Sequence, residues 1–428
     1  MTAFSLEPAQ LAWCAELRTL AAERLPPLAD KGEPGHVNRA LVAELGSLGL
    51  LGRLFTSGAL DLCLMRESLA YACTEAETAL ALQGLGAHPV HAYGTEAQRA
   101  RWLPRVTAGT AIAAFALSEP GAGSDAAALE LTAEAEAEGE AEADASRAGR
   151  SSDASRAGRS SDASRAGRSS DTSGAGPSPE AHALTAAPDG PARWRLTGEK
   201  CWISNAPEAD FYTVFARTTP GAGARGVTAF LVPADRPGLT GRGLDMLSPH
   251  PIGALGFDAV PVTADDVLGE TDRGFRVAMG TLNLFRPSVG AFAVGMAQAA
   301  LDATLAHTAG RDAFGGKLRD LQAVSHQVAE MALRTEAARL MVYAAASAYD
   351  RDDPDVPRRS AMAKLLATET AQYVVDTAVQ LHGARALQRG HLLEHLYREV
   401  RAPRIYEGAS EVQRGIIAKE LYARQEAW

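Results

Sequence analysis

The chain has 428 residues, 46% of them apolar and 22% charged, with 40 glycines and 22 prolines. At the usual ~150 residues per domain this predicts two or three globular domains and excludes a fibrous chain. A net charge of −10, from 42 basic and 52 acidic residues, argues against a nucleic-acid partner.

Residues 1–114 read as an N-terminal helical domain. Segments such as LVAELGSLGLLGRLF and LDLCLMRESLAYA carry apolar residues at i, i+3, i+4 spacing, broken by Gly and Pro. The N-terminus lacks the basic and apolar regions of a secretory signal, and no run of 18 apolar residues predicts a membrane span. Cys14, Cys63, Cys73 and Cys201 are scattered, with no C-x-x-C. This usage predicts neither a disulfide framework nor a metal site, and it fits a reducing cytoplasm.

Residues 115–265 read as a β domain. AIAAFAL ends in the turn-rich SEPGAGSD, and WRLTGEKCWIS, FYTVFART, GVTAFLVP and LGFDAVPV are strand-like. Inside this domain Glu130 to Glu142 is mostly Glu alternating with Ala. The unit DASRAGRSS then occurs three times from Asp144 to Ser170, followed by the decayed copy DTSGAGPSP. The unit holds no apolar residue larger than Ala and cannot offset its ordering entropy, so 131–188 is expected to be a disordered insertion. It reads as an inert loop expansion, with an electrostatic docking arm as the alternative. Residues 266–428 return to the helical period in three long, alanine-rich segments, which predicts packed helices.

Two motifs match familiar patterns only in letters. GAGARG, from Gly221 to Gly226, is followed by the strand VTAFLVP rather than a helix, so it reads as a hairpin loop and not a dinucleotide fingerprint. HLLEH, from His391 to His395, matches an inverted zinc-protease pattern, but that site needs another ligand further along a chain that soon ends.

Five further motifs carry chemistry in order. ALSEPGAGSD (Ala116–Asp125) places hydroxyls and glycines after a strand, where backbone N–H groups can approach a ligand closely. GEKCWISN (Gly198–Asn205) puts Trp202 and Ser204 on one face of a strand by i, i+2 alternation. RDAFGGKLRDLQ (Arg311–Gln322) and QLHGARAL (Gln380–Leu387) bracket the long helices. In RIYEGASEVQR (Arg404–Arg414), Ser410 and Gln413 read as a capping box, which leaves Glu407 in the loop before a helix.

Together these motifs resemble the acyl-CoA dehydrogenase family from about Leu41 to Leu421, the insertion excepted. The resemblance implies an α+β fold with an N-terminal helical domain, a middle β-barrel-like domain and a C-terminal four-helix bundle. It also implies FAD as cofactor, an acyl-CoA substrate, an electron-transferring flavoprotein as electron acceptor, and a homodimer or homotetramer. By resemblance, Phe115, Leu117, Ser118, Ser124, Trp202 and Ser204 would bind the flavin. Arg311, Phe314 and Gln322 would reach the FAD of a neighbouring subunit, Gln380 and Gly383 would approach the adenosine half of FAD, and Ala409 would lie beside FAD after E-G. Ser124, Asn283, Arg286 and Gly408 would contact the thioester ligand. Glu407 would be the catalytic base, its pKa raised by desolvation toward the range where a base works best.

The chain departs from the family pattern at several of these positions. Ala384 and Ala386 replace glycines, Ala409 replaces a common Thr, Asn283 a frequent Asp, and Phe115 a commoner Tyr. Two alternatives follow: an acyl group presented on a carrier protein instead of CoA, and a non-catalytic flavin-binding scaffold.

Overall fold

Helical period and strand alternation sort the chain into three successive parts in a computed structural model, which describes residues 6–136 and 192–426. The first part holds helices α1 (Pro8–Arg24), α2 (Pro26–Ala29), α3 (Arg39–Ser47), α4 (Leu50–Thr56), α5 (Ala59–Ala72), α6 (Thr74–Tyr93) and α7 (Glu96–Thr107). Local chemistry sets their ends. Thr95 Oγ1 accepts from the Gln98 N–H at 3.2 Å while Gln98 Oε1 accepts from the Thr95 N–H at 2.8 Å, a reciprocal cap that starts α7.

The middle part is a curled sheet of β1 (Ala113–Ala116), β2 (Thr132–Ala135), β3 (Arg193–Ser204), β4 (Phe211–Arg217), β5 (Val227–Pro233), β6 (Leu239–Gly243) and β7 (Ile252–Thr263). The chain of pairings runs β1-β4-β2-β3-β7-β6, with β5 antiparallel to β4 on its other side. β1 runs parallel to β4, Ala113 opposite Phe211, so the helical part enters the sheet two residues before the expected domain start. GAGARG is the hairpin loop between β4 and β5, as its context suggests.

Two strands depart from the sequence reading. β2 lies inside the stretch expected to be disordered from residue 131. Thr132–Ala135 pair antiparallel with Thr197–Trp194, and the Glu136 N–H donates to Arg193 O at 3.0 Å. Ala133 is buried, which gives this acidic segment the apolar anchor that composition concealed. The remainder of the expected insertion, 137–188, lies outside the described residues. β6 is LTGRG, glycine-rich and mostly exposed, an edge with almost no alternation to read.

The last part holds α8 (Gly274–Gly310), α9 (Gln322–Tyr349), α10 (Val356–His382), α11 (Leu392–Glu399) and α12 (Ser410–Glu426), with a two-stranded hairpin, β8 (Asp312–Ala313) and β9 (Gly316–Lys317), after α8. Helices α8, α9 and α10 pack on one another and α12 packs on α10, forming the four-helix bundle. At ~1.5 Å per residue α8 is about 55 Å long. It is long and apolar enough by composition to cross a bilayer, but 72% of its most apolar stretch is buried inside the protein. Its length lets one helix touch α5, α6, the sheet, α9, α10 and α11.

Helix α6 presses on β1 through Gly86. A Cβ there would meet Ala114 N at 2.6 Å and Ala113 C at 2.7 Å, both backbone atoms that cannot turn aside. Gly86→Ala is therefore expected to cost about 1–3 kcal/mol by overpacking, read as a lower denaturation midpoint with the helix content unchanged.

Candidate active site

The loop after β1 is clamped by a buried ion pair. Lys200 on β3 is completely buried; its Nζ donates to Leu117 O at 2.9 Å and to Glu119 Oε1 at 2.7 Å. Glu119 also accepts from the Leu131 N–H at 3.0 Å and the Glu130 N–H at 2.5 Å, and the Cys201 N–H donates to Ser118 O at 3.0 Å. Burial pushes the Lys200 ammonium down to about 8, with Glu119 acting against it. Leu117 and Ser118 are thus held by a pair whose two members stood inside the quoted motifs without a role. Ser124, further along the loop, is exposed. Phe115 packs its ring 4.9 Å from that of Phe215.

Trp202 does not follow plain strand alternation. The β3–β7 register slips between Lys200 and Ile203, and Trp202 takes φ +56 with 48% of its surface exposed. Trp202 and Ser204 still flank the buried Ile203, so a bulge rather than simple pleating places them off its side of the strand. Asn205, at φ +65, ties this strand end to β1 by donating from Nδ2 to Ala113 O at 2.8 Å.

Glu407 is held by donors from three helices. Arg286 Nε of α8 donates to Glu407 O at 3.3 Å, and Lys364 Nζ of α10 donates to Gly408 O at 2.7 Å. Gln413 Nε2 of α12 donates to both carbonyls, at 3.2 and 2.9 Å. Asn283 Oδ1 accepts from Arg286 Nη1 at 3.2 Å, so three of the expected ligand-contacting residues, Asn283, Arg286 and Gly408, do meet at Glu407. Lys364 was missed: its place within a run of small apolar residues gave no sign that it reaches 44 positions along the chain.

The expected capping box is not formed. The Ser410 hydroxyl donates to Glu369 Oε1 at 2.6 Å, and the Gln413 N–H bonds Ala409 O as an ordinary first turn. With its side chain turned to Glu407 and Gly408, Gln413 orients the loop instead of capping the helix. Glu407 takes φ +52, a left-handed conformation that a non-glycine residue holds only when its surroundings impose it.

Burial also shapes the chemistry of the Glu407 side chain. Its Oε2 is buried and has no hydrogen-bond partner among the described residues. Burial raises its carboxyl above the ordinary 4.5, while Arg66, then Lys364 and Arg286, act against that rise. Burial likewise pushes Lys364 down to about 8. The Glu407 backbone N–H donates to no group among the described residues.

Behind Glu407 lies a chain of buried charges that the sequence reading did not single out. Arg66 on α5 pairs through Nε with Glu77 on α6, and its Nη1 donates to Ser288 Oγ on α8 at 2.7 Å. His250 Nε2 meets Glu399 Oε2 at 2.5 Å. Burial would lower the His250 pKa, but Glu399, and Glu77 beyond it, raise it above 6.5. A raised imidazole pKa stabilises the fold fully below 6.5, and the contribution fades as pH rises through the raised value. His250→Asn is accordingly expected to lower the denaturation midpoint more at about pH 6 than at about pH 9.

A separate group surrounds the ends of α8 and α10. The His307 and His382 rings stack with centroids 4.1 Å apart, joining the end of α8, before Arg311, to the end of α10, which carries Gln380. Phe314 is 90% exposed at φ +53; Arg311, Gln322 and Gln380 are exposed too, and a Cβ on Gly383 (φ +67) would meet nothing. Hydrogen bonds among the described residues join none of them to Leu117, Ser118, Trp202 or Ser204. Ala384 and Ala386 sit in a 3₁₀ turn without left-handed backbone, so glycine is not required there by conformation.

The HLLEH residues have structural partners. His391 Nδ1 accepts from the Leu393 N–H at 3.1 Å, Glu394 bonds Arg398 at 2.8 Å, and His395 Nε2 bonds Thr74 Oγ1 at 2.6 Å. Two clefts, of about 620 and 660 Å³, open on either side of Leu247; Glu407 lines neither.

Helices, curled sheet and bundle in this order, with a carboxylate oxygen unpartnered among the described residues in the loop that α8, α10 and α12 hold, match one family throughout. Profiles of the acyl-CoA dehydrogenase N-terminal, middle and C-terminal domains match residues 7–110, 170–260 and 272–422. The mitochondrial short-chain specific acyl-CoA dehydrogenase of Bos taurus is 33% identical over 416 residues, covering 94% of this chain and 88% of that protein. The probable acyl-CoA dehydrogenase FadE25 of Mycobacterium tuberculosis is 33% identical over 362 residues, covering 84% and 79%. The structure of butyryl-CoA dehydrogenase from Megasphaera elsdenii superimposes with a TM-score of 0.80 at 28% identity, covering 98% of this chain and 100% of that one. A glutaryl-CoA dehydrogenase–glutaryl-CoA complex does so at 0.80 and 27%, covering 99% and 97%. The chain belongs to the acyl-CoA dehydrogenase family. It is an oxidoreductase acting on acyl-CoA, and its cofactor is FAD.

The residues present fit that cofactor. The half-exposed Trp202 stands beside the Ser118 strand end, leaving an aromatic face open next to backbone and hydroxyl groups. The orphaned Glu407 Oε2 calls for a partner that none of the described residues supplies.

Proposed function

We infer that the protein removes hydrogen across the α,β-bond of a short-chain acyl-CoA thioester, with Glu407 as the base. The buried, unpartnered Oε2 of Glu407 carries this reading: it is free to take a proton, and burial has already raised its proton affinity. The neighbouring Glu407 N–H, which donates to no group among the described residues, is available to the thioester oxygen as negative charge develops there. Arg286, Lys364 and Gln413 hold the Glu407–Gly408 carbonyls, so that N–H and carboxylate are presented in one fixed geometry. Bound FAD supplies the acceptor for the β-hydride.

Phe115, Leu117, Ser118, Ser124, Trp202 and Ser204 would hold the flavin, and Ala409 would lie next to it. Ser124, Asn283, Arg286 and Gly408 would seat the thioester. The exposed Arg311, Phe314 and Gln322 suit contact with the FAD of a second copy, which supports a homodimer or a homotetramer built from dimers, and Gln380 and Gly383 would lie near the adenosine half. An electron-transferring flavoprotein is the proposed acceptor, and the proposed location is cytoplasmic. The short acyl chain is supported by the names of the relatives, which include short-chain and butyryl-CoA enzymes.

The test mixes oxidised holoenzyme anaerobically with acyl-CoAs of increasing length and with the matching acyl groups on a carrier protein. The expected outcome is flavin reduction with stoichiometric α,β-unsaturated thioester, fastest with short acyl-CoAs. Faster reduction by the carrier-bound acyl group would shift the substrate assignment to the carrier.

A further inference from the structure

We propose that Arg66 is a positioning residue for Glu407, a buried cation held to α8 near the Glu407 loop whose charge Glu77 partly neutralises. The proposal rests on Glu407 as the base and adds two residues, neither of them among the flavin or thioester contacts.

The geometry begins at α8. Two residues after Arg286, whose Nε reaches Glu407 O, Ser288 Oγ accepts from Arg66 Nη1 at 2.7 Å. Ser288 is itself fixed, donating to Phe285 O at 2.7 Å. On its other side the Arg66 Nε is paired with Glu77, and its guanidinium carbon lies 5.9 Å from the Phe292 ring centre. Arg66 and Glu77 are 3% and 1% exposed, so neither charge is screened by water. Held by partners on α6 and α8, the guanidinium is anchored two residues along α8 from Arg286, whose side chain reaches the Glu407 loop.

The electrostatics agree with the placement. Of the three cations facing Glu407, Arg66 on α5 acts most strongly, ahead of Lys364 on α10 and Arg286 on α8. Tyr406, next in sequence, feels Arg66, Glu77, Glu407 and Glu399. Glu77 in turn faces His250 and Glu399, so the groups around the base alternate in sign from Glu407 outward. Without Arg66 a carboxylate in so dry a site would hold its proton too tightly to act near neutrality. With the full charge of Arg66 unopposed it would release the proton too readily to be an effective base. Glu77 sets the position between these limits.

An acyl-chain clamp or a purely structural ion pair would make no such prediction about the Glu407 proton. The test is an infrared pH titration of holoenzyme, following the carboxylic-acid band that disappears in Glu407→Gln. In Arg66→Met/Glu77→Gln, which leaves no unpaired buried charge, the midpoint is expected to rise by about one pH unit or more, a tenfold change in acid dissociation. In Glu77→Gln alone, with the cation unopposed, it is expected to fall. Arg66→Lys should titrate close to the parent. Midpoints that stay at the parent value, or that move in the same direction in both variants, would overturn the proposal. If the double variant does not fold, Glu77→Gln decides by itself: a lower midpoint supports the proposal, and an unchanged or higher one overturns it. The band is read without turnover, so it answers whether or not Glu407 is the base. A wrong base assignment would show itself separately, as undiminished flavin reduction in Glu407→Gln.

Discussion

Glu407→Gln is expected to lower the anaerobic rate of flavin reduction by ~10²–10⁴-fold while leaving FAD bound. The amide keeps the shape of the side chain and leaves untouched the backbone carbonyls that Arg286, Lys364 and Gln413 hold. What it removes is the oxygen proposed to accept the proton. A competing role, a negative charge favouring the start of α12, would be worth only about 0.3–1 kcal/mol and would leave the rate nearly intact. Stability separates the two roles as well. A buried carboxylate with a raised pKa binds its proton more tightly folded than unfolded, so the ionised form costs stability as pH rises above 4.5. The glutamine variant is therefore expected to be more stable than the parent at neutral pH, whereas a helix-start role predicts the reverse. Rate and denaturation midpoint measured on the same preparation distinguish them.

The second large effect is expected at Lys200, far from the base in sequence and chemistry. Lys200→Met leaves the Glu119 carboxylate buried without its cation and the Leu117 carbonyl without its donor. Breaking a buried pair in this way costs about 3–5 kcal/mol. The loss falls on Leu117–Ser118, the strand end proposed to hold the flavin, so the variant should purify with less FAD as well as unfold at lower denaturant. Lys200→Met/Glu119→Gln removes the stranded charge and should recover part of the stability, since a glutamine oxygen can still accept from Leu131 N–H or Glu130 N–H. Flavin content per protein and the denaturation midpoint of both variants check this.

These two residues also mark the limit of what the sequence could disclose. Helix period and strand alternation depend on neighbours a few positions apart, and the order of helices, sheet and helices follows from them. Lys200 and Glu119 are 81 positions apart, and Lys364 lies 44 positions from the carbonyl it holds. No local pattern connects such partners. Arg66 and Glu77 stand on successive helices and read as ordinary solvated charges until packing buries both. The capping pattern at Ser410 failed for the same reason: Glu369, 41 positions earlier, takes the hydroxyl. β2 was hidden by composition, since Thr132–Ala135 looks like the acidic run that follows it and gains its strand state only from β3. Glu407 stood out as a candidate because its motif is contiguous. Its left-handed backbone and the three helices that impose it were not.

The most direct single measurement is the visible spectrum of the purified protein before and after anaerobic addition of butyryl-CoA. Loss of the oxidised-flavin band, with crotonyl-CoA formed in equal amount, is the predicted result. A flavin band unchanged by butyryl-CoA and by every other acyl thioester, or a colourless protein that cannot be reconstituted with FAD, would contradict it.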